Sequence, residues 1–131
     1  MTALVGSLAG LLALTAIDAP RPAPAPAIAL LTALDAGDLD AARATLAEGA
    51  TIADSSSGRG EETSIAALSA YARGCMRTNL TWEYDSPESE KAAVSAFWSC
   101  PSRAPSMTFI WTDGPRVVWV QFGVPAPQAS E

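Results

Sequence analysis

The chain has 131 residues, enough for one domain, and its 49% hydrophobic and 17% charged content supports a packed core rather than disorder. Its 14 acidic side chains against 8 basic ones leave a net charge of -6. With no basic run to neutralise phosphates, this excludes a nucleic-acid partner. The absence of His removes the commonest general base, the commonest metal ligand and every Ser-His or Cys-His pair.

Residues 1–17 (MTALVGSLAGLLALTAI) are apolar and uncharged, and Asp18 ends the run. The stretch has the length of a signal-peptide apolar region with a short lead, and is short of the ~20 apolar residues of a membrane span. Small residues suited to cleavage follow near Ala19 and at Ala25-Pro26-Ala27, although no Lys or Arg precedes the run. The competing interpretation is a buried N-terminal helix. Residues 1–19 are assigned as a signal peptide, which implies a periplasmic or secreted protein with no stable membrane span after processing. Residues 20–27 alternate Pro and Ala, a pattern that favours an extended spacer. Residues 28–124 are the expected domain, and 125–131 a disordered tail.

Within the domain, apolar residues at 28, 30, 31 and 34 mark a helix face, and Gly37 stops it. Asp38 then caps a second helix over Leu39 to Glu48, with Asp40 in its first turn. Ala50 to Ala53 is a short strand, and Asp54 to Glu62 a polar loop. Thr63 or Ser64 caps a third helix with Ile65, Leu68 and Ala72 on one face, ending at Gly74. From there the period changes to two. Leu80, Trp82 and Tyr84 share one side of a strand, and Val94, Ala96 and Trp98 share one side of the next. Two further strands flank Thr112-Asp113-Gly114-Pro115, whose Asp-Gly step signals a hairpin. Helices first and strands after predict an α+β domain, with helices on one face of an antiparallel sheet.

The two cysteines, Cys75 and Cys100, stand 25 positions apart. An even count in an exported chain suggests a disulfide, and two buried thiols are the alternative. Two Cys without His are too few for a structural zinc site.

The run Ala33-Leu34-Asp35-Ala36-Gly37-Asp38-Leu39-Asp40, followed by Leu46-Ala47-Glu48-Gly49-Ala50-Thr51-Ile52-Ala53-Asp54, resembles the opening of the nuclear transport factor 2-like superfamily. That group includes SnoaL-like cyclases and ketosteroid isomerase. The resemblance covers Ile28 to Val124 in element order and spacing. It implies a cone-like curved antiparallel sheet packed on about three N-terminal helices, an apolar pocket within the cone, and, in many members, dimerisation through the sheet. It also implies that Cys75, past the third helix, approaches Cys100, at the end of the second long strand, closely enough for a bridge.

The resemblance places Asp54 where isomerase-like members keep their catalytic base. In ketosteroid isomerase that base works with an oxyanion hole of a Tyr and a protonated Asp. The corresponding positions fall near Leu30 and near Ser106 or Met107, so both donors are missing. One such donor is worth roughly 3 kcal/mol. The local interpretation of Asp54 is a carboxylate capping backbone N–H groups of Ser55 to Ser57. The acidic triple Asp35, Asp38 and Asp40 reads as helix caps and solvated surface rather than a metal site. Gly58-Arg59-Gly60 lacks the Lys and spacing of a phosphate cradle, so no cofactor is implied. Trp82, Trp98, Trp111 and Trp119 are expected in the core or the pocket wall, or as a stripe on an interface.

These readings favour a non-catalytic exported domain that binds a small apolar ligand or a protein partner. Two alternatives stand beside it: a weak isomerase- or dehydratase-type enzyme with Asp54 as general base, and a homodimerisation module using the aromatic outer face of the sheet.

Overall fold

A computed structural model describes residues 21–127. The assigned signal peptide and the end of the tail lie outside the described residues. Among the described residues, no helix is long and apolar enough to cross a membrane. Three helices, α1 (Ala25–Ala36), α2 (Leu39–Ala44) and α3 (Ile65–Ala72), pack on one face of a curved sheet. Its six strands are β1 (Leu46–Asp54), β2 (Glu61–Thr63), β3 (Met76–Tyr84), β4 (Lys91–Ser99), β5 (Ser106–Asp113) and β6 (Arg116–Pro125), ordered β2-β1-β6-β5-β4-β3. The expected α+β cone is present. All pairings are antiparallel except β1 with β6, which run parallel. Register shifts in β1/β6, β3/β4 and β5/β6 mark bulges, which bend strands and increase twist.

Helix α1 begins at Ala25, inside the stretch expected to be spacer, and Ala27 is fully buried. Pro26 sits in its first turn, where the missing N–H leaves no bond unmade. Gly37 ends the helix in the left-handed region, at φ 68°, with its N–H on Leu34 O and that of Asp38 on Ala33 O. Asp38 caps α2 by accepting from Ala41 N at 3.0 Å.

Helix α2 was expected to reach Glu48, but it stops at Ala44. Its free carbonyls are taken by β6: Arg116 Nη1 donates to Ala44 O at 2.7 Å, and Val117 N to Thr45 O at 2.8 Å. That capture draws Leu46 into register with Val117 and extends β1 back to Leu46. Tertiary pairing here outweighs helical propensity. In the expected polar loop, Glu61 to Thr63 pairs with Ile52 to Asp54 as β2.

The core fills the cone. Leu30, Leu31 and Leu34 of α1 and Leu68 of α3 meet Val94, Trp98, Ile110, Val117, Val120 and Phe122 from the inner face of the sheet. Cys75 and Cys100 form the disulfide. It lies one step beyond the Met76–Ser99 pair, so it staples the adjoining ends of β3 and β4.

Candidate functional site

The four tryptophans do not meet around one cavity. Trp98 is 2% exposed and belongs to the core, 6.0 Å from the Tyr71 ring. Trp82 lies opposite Val94 on the inner-facing row, is 39% exposed, and donates its Nε1–H to Arg21 O at 2.9 Å. Trp111 and Trp119 stand on the outer face, 37% and 41% exposed.

Asp54 lies at the end of β1, opposite Phe122. Its Oδ1 accepts from Ser56 N at 2.8 Å and from Ser56 Oγ at 2.6 Å. This is the local turn-capping geometry, in which the carboxylate is already engaged by its own loop. The loop is held against the sheet. Ser55 N donates to Phe122 O at 2.8 Å, and Gln121 Nε2 donates to Ser55 Oγ at 2.9 Å. It also passes so close to Gly123 (φ 75°) that a Cβ there would lie 2.9 Å from Ser56 N. At the positions matched to the oxyanion donors, Leu30 is apolar core, and Ser106 Oγ shares a 2.7 Å hydrogen bond with Tyr71 OH.

The acidic triple has structural partners. Asp35 pairs with Arg77 at 2.6 Å, Asp38 caps α2, and Asp40 lies 3.4 Å from Arg43.

The most distinctive surface is the outer face of the sheet. On β5, Ser106, Thr108, Ile110 and Thr112 point inward and are buried, while Met107, Phe109 and Trp111 point outward. The alternation is inverted: most hydroxyls face the core, and the larger apolar side chains face out. Strand pairing continues the apolar face. Ala93, Trp111, Trp119 and Thr51 form one cross-strand row, and Ser95, Phe109, Gln121 and Ala53 the next. Across β4, β5, β6 and β1 the two rows hold no charged residue, and they end in carboxylates at the sides of the sheet, Glu83 of β3 beside Ala93 and Glu62 of β2 beside Ala53. A groove of about 460 Å³ is lined by Trp111, Val118, Trp119 and Gln121. Charge returns at the rim, where Lys91, Asp113 and Arg116 align across β4, β5 and β6.

Sequence reasoning placed Trp111 and Trp119 in a candidate set but did not separate them from Trp98. The separating signal is the period-two pattern of β5, which puts Trp111 on the side opposite Ser106, Thr108 and Thr112.

Comparison with solved structures identifies the fold. The chain is similar to a protein from Sphaerobacter thermophilus, at 18% identity and a TM-score of 0.56, over 79% of this chain and 95% of that one. It is similar to a nuclear transport factor 2-like protein of unknown function from Burkholderia xenovorans LB400, at 17% identity and a TM-score of 0.53, over 81% of this chain and 84% of that one. A candidate polyketide cyclase from Pseudomonas putida KT2440 aligns at 16% identity and a TM-score of 0.50, over 79% and 91%. No family model matches the chain, and no curated protein does. The likeness is therefore one of fold: a nuclear transport factor 2-like, SnoaL-like cone.

Proposed function

We propose that this chain is a non-catalytic association domain, working outside the cytoplasm, whose outer sheet face docks a second copy of itself. The inverted alternation of β5 carries the proposal. A strand that buries Thr108 and Thr112 while presenting Phe109 and Trp111 is patterned for a second apolar layer.

Three features support a second copy as that layer. The centre of the face, over β4, β5, β6 and β1, is uncharged on a chain of net charge -6, and Glu83 and Glu62 stand at its two sides, so the like charges of two copies fall at the rim. A sheet face packs on another sheet about 10 Å away with interdigitated side chains, and the groove beside Trp111 and Trp119 suits that contact. A two-fold arrangement places the same patch on both sides, with the Lys91–Asp113–Arg116 row at the polar rim. The Cys75–Cys100 bridge supports an oxidising compartment.

The interior favours neither an enzyme nor an apolar-ligand carrier. Leu30, Leu31, Leu68, Ile110 and Phe122 are essentially inaccessible and occupy the space where a ligand was expected. Asp54 is held by Ser56. Sedimentation velocity on the full chain tests the proposal. A dimer at micromolar concentration that becomes monomeric in Trp119→Lys is expected, and a wild-type monomer up to about 100 µM refutes it.

A further inference from the structure

The segment ahead of α1 is bound in an unusual way. Among the described residues, Arg21, Pro22 and Ala23 make no backbone–backbone hydrogen bond. They are held through side chains at the β3–β4 hairpin end. The Arg21 guanidinium lies 3.6 Å from the centroid of the Tyr84 ring. Its Nη1 donates to Ser89 O at 2.8 Å and to Pro87 O at 3.1 Å, and its Nη2 lies 3.8 Å from the Glu90 carboxylate. Trp82 and Tyr84 answer by donating to the carbonyls of Arg21 and Pro22, each at 2.9 Å.

One planar cation thus meets a ring face, two carbonyls and a carboxylate. That set suits the flat, forked guanidinium better than a point-charge ammonium. The hairpin end holds Glu83, Asp85, Glu88 and Glu90 against Arg21 and Lys91, which leaves it net negative even with Arg21 in place. A cleft of about 400 Å³ continues beside Arg21, lined by Trp82, Glu83, Tyr84, Asp85, Ser86 and Pro87. It leaves room for the residues flanking an incoming cation.

We propose that the β3–β4 hairpin end is a guanidinium-binding site, occupied in cis by Arg21 and open to an arginine-bearing segment of a partner protein when the strap lifts. The hold on the strap is separable from the fold. It uses no ladder hydrogen bond, and the prolines at 22 and 24 have no N–H to contribute. A tethered ligand acts at an effective concentration of order millimolar, so a free peptide competes poorly with it.

The test uses the full chain and the peptide acetyl-Pro-Arg-Pro-amide, with the Trp82 indole N–H signal as readout. Arg21→Ala is expected to bind the peptide saturably, at least about tenfold more tightly than the wild type, and to bind the lysine counterpart about tenfold less tightly. Three results overturn the proposal: a folded Arg21→Ala that shows no saturable shift up to about 10 mM peptide, equal affinity in wild type and variant, or equal binding of the lysine peptide. If Arg21→Ala does not fold, the arginine peptide must restore its melting transition in trans, and failure to do so also overturns the proposal.

Discussion

Trp111 and Trp119 stand directly opposite one another on β5 and β6, and their rings meet edge to face, 6.3 Å between centroids, on the outer surface of the sheet. An aromatic pair left 37% and 41% exposed is costly in solvent and useful at an interface. If the face pairs two copies, Trp111→Ala and Trp119→Ala should each raise the dimer dissociation constant by about 2 kcal/mol, or roughly thirtyfold. Each change should alter monomer stability far less. Sedimentation equilibrium combined with denaturant melts of dilute protein separates the two effects. A loss confined to monomer stability would assign the pair a folding role only.

The disulfide should contribute measurably to a domain of this size. Cys75 and Cys100 close a loop of 25 residues, and loop closure of that length is worth about 3 kcal/mol through restriction of the unfolded chain. Cys75→Ser with Cys100→Ser should lower the unfolding free energy from urea titration by about that amount, without changing the far-ultraviolet circular dichroism. Reduction of the wild type should reproduce the shift.

Gly123 offers a sharper contrast. Its φ of 75° and the Ser56 backbone 2.9 Å from any added Cβ mean that Gly123→Ala meets both strain and a clash. The expected cost is about 2–3 kcal/mol. Gly37 also has positive φ, at 68°, but nothing lies within 4 Å of its Cβ position, so Gly37→Ala should cost only about 1 kcal/mol. Thermal melts of both variants measure the difference, and equal losses would mean that the Ser56 loop gives way.

The sequence made the element order and the fold class legible, because the change of period after Gly74 and the helix-breaking Gly37-Asp38 pair are local signals. The disulfide pairing followed from the resemblance in element order. The end of α2 was not legible. Residues 45–48 continue a helical pattern, and only Arg116 and Val117, some 70 positions away, convert it to strand. The strap was missed for the opposite reason. Its Pro-Ala alternation fits an extended spacer, and its attachment depends on Trp82, Tyr84 and the hairpin end. The tryptophans show both limits at once: their presence was evident, but their assignment to core, hairpin or outer face required strand register.

Asp54 separates a structural role from a chemical one. Its Oδ1 accepts two hydrogen bonds from Ser56, and Asn retains an acceptor in that place. Asp54→Asn should therefore change stability by less than about 0.5 kcal/mol, while Asp54→Ala should cost about 1 kcal/mol. Denaturant titration of the two variants checks the ratio. Equal losses would mean that the charge, rather than the acceptor, holds the loop.

Two buried polar groups in the core bear on whether the cone interior binds anything. Thr108 is 0% exposed, and among the described residues its Oγ1 has no hydrogen-bond partner, nor does the Nε1 of Trp98. A buried hydroxyl without a partner costs about 1–3 kcal/mol of desolvation. Val has nearly the same shape and carries a methyl where Thr carries the hydroxyl. Thr108→Val should therefore raise stability by about 1 kcal/mol, read as a higher urea midpoint with an unchanged slope. The sign discriminates between two interiors. A gain means that the cone is packed and dry around Thr108, which agrees with an association domain whose working surface is outside. A loss of similar size means that a water or ligand reaches the hydroxyl, and would return the interior of the cone to consideration as a binding site.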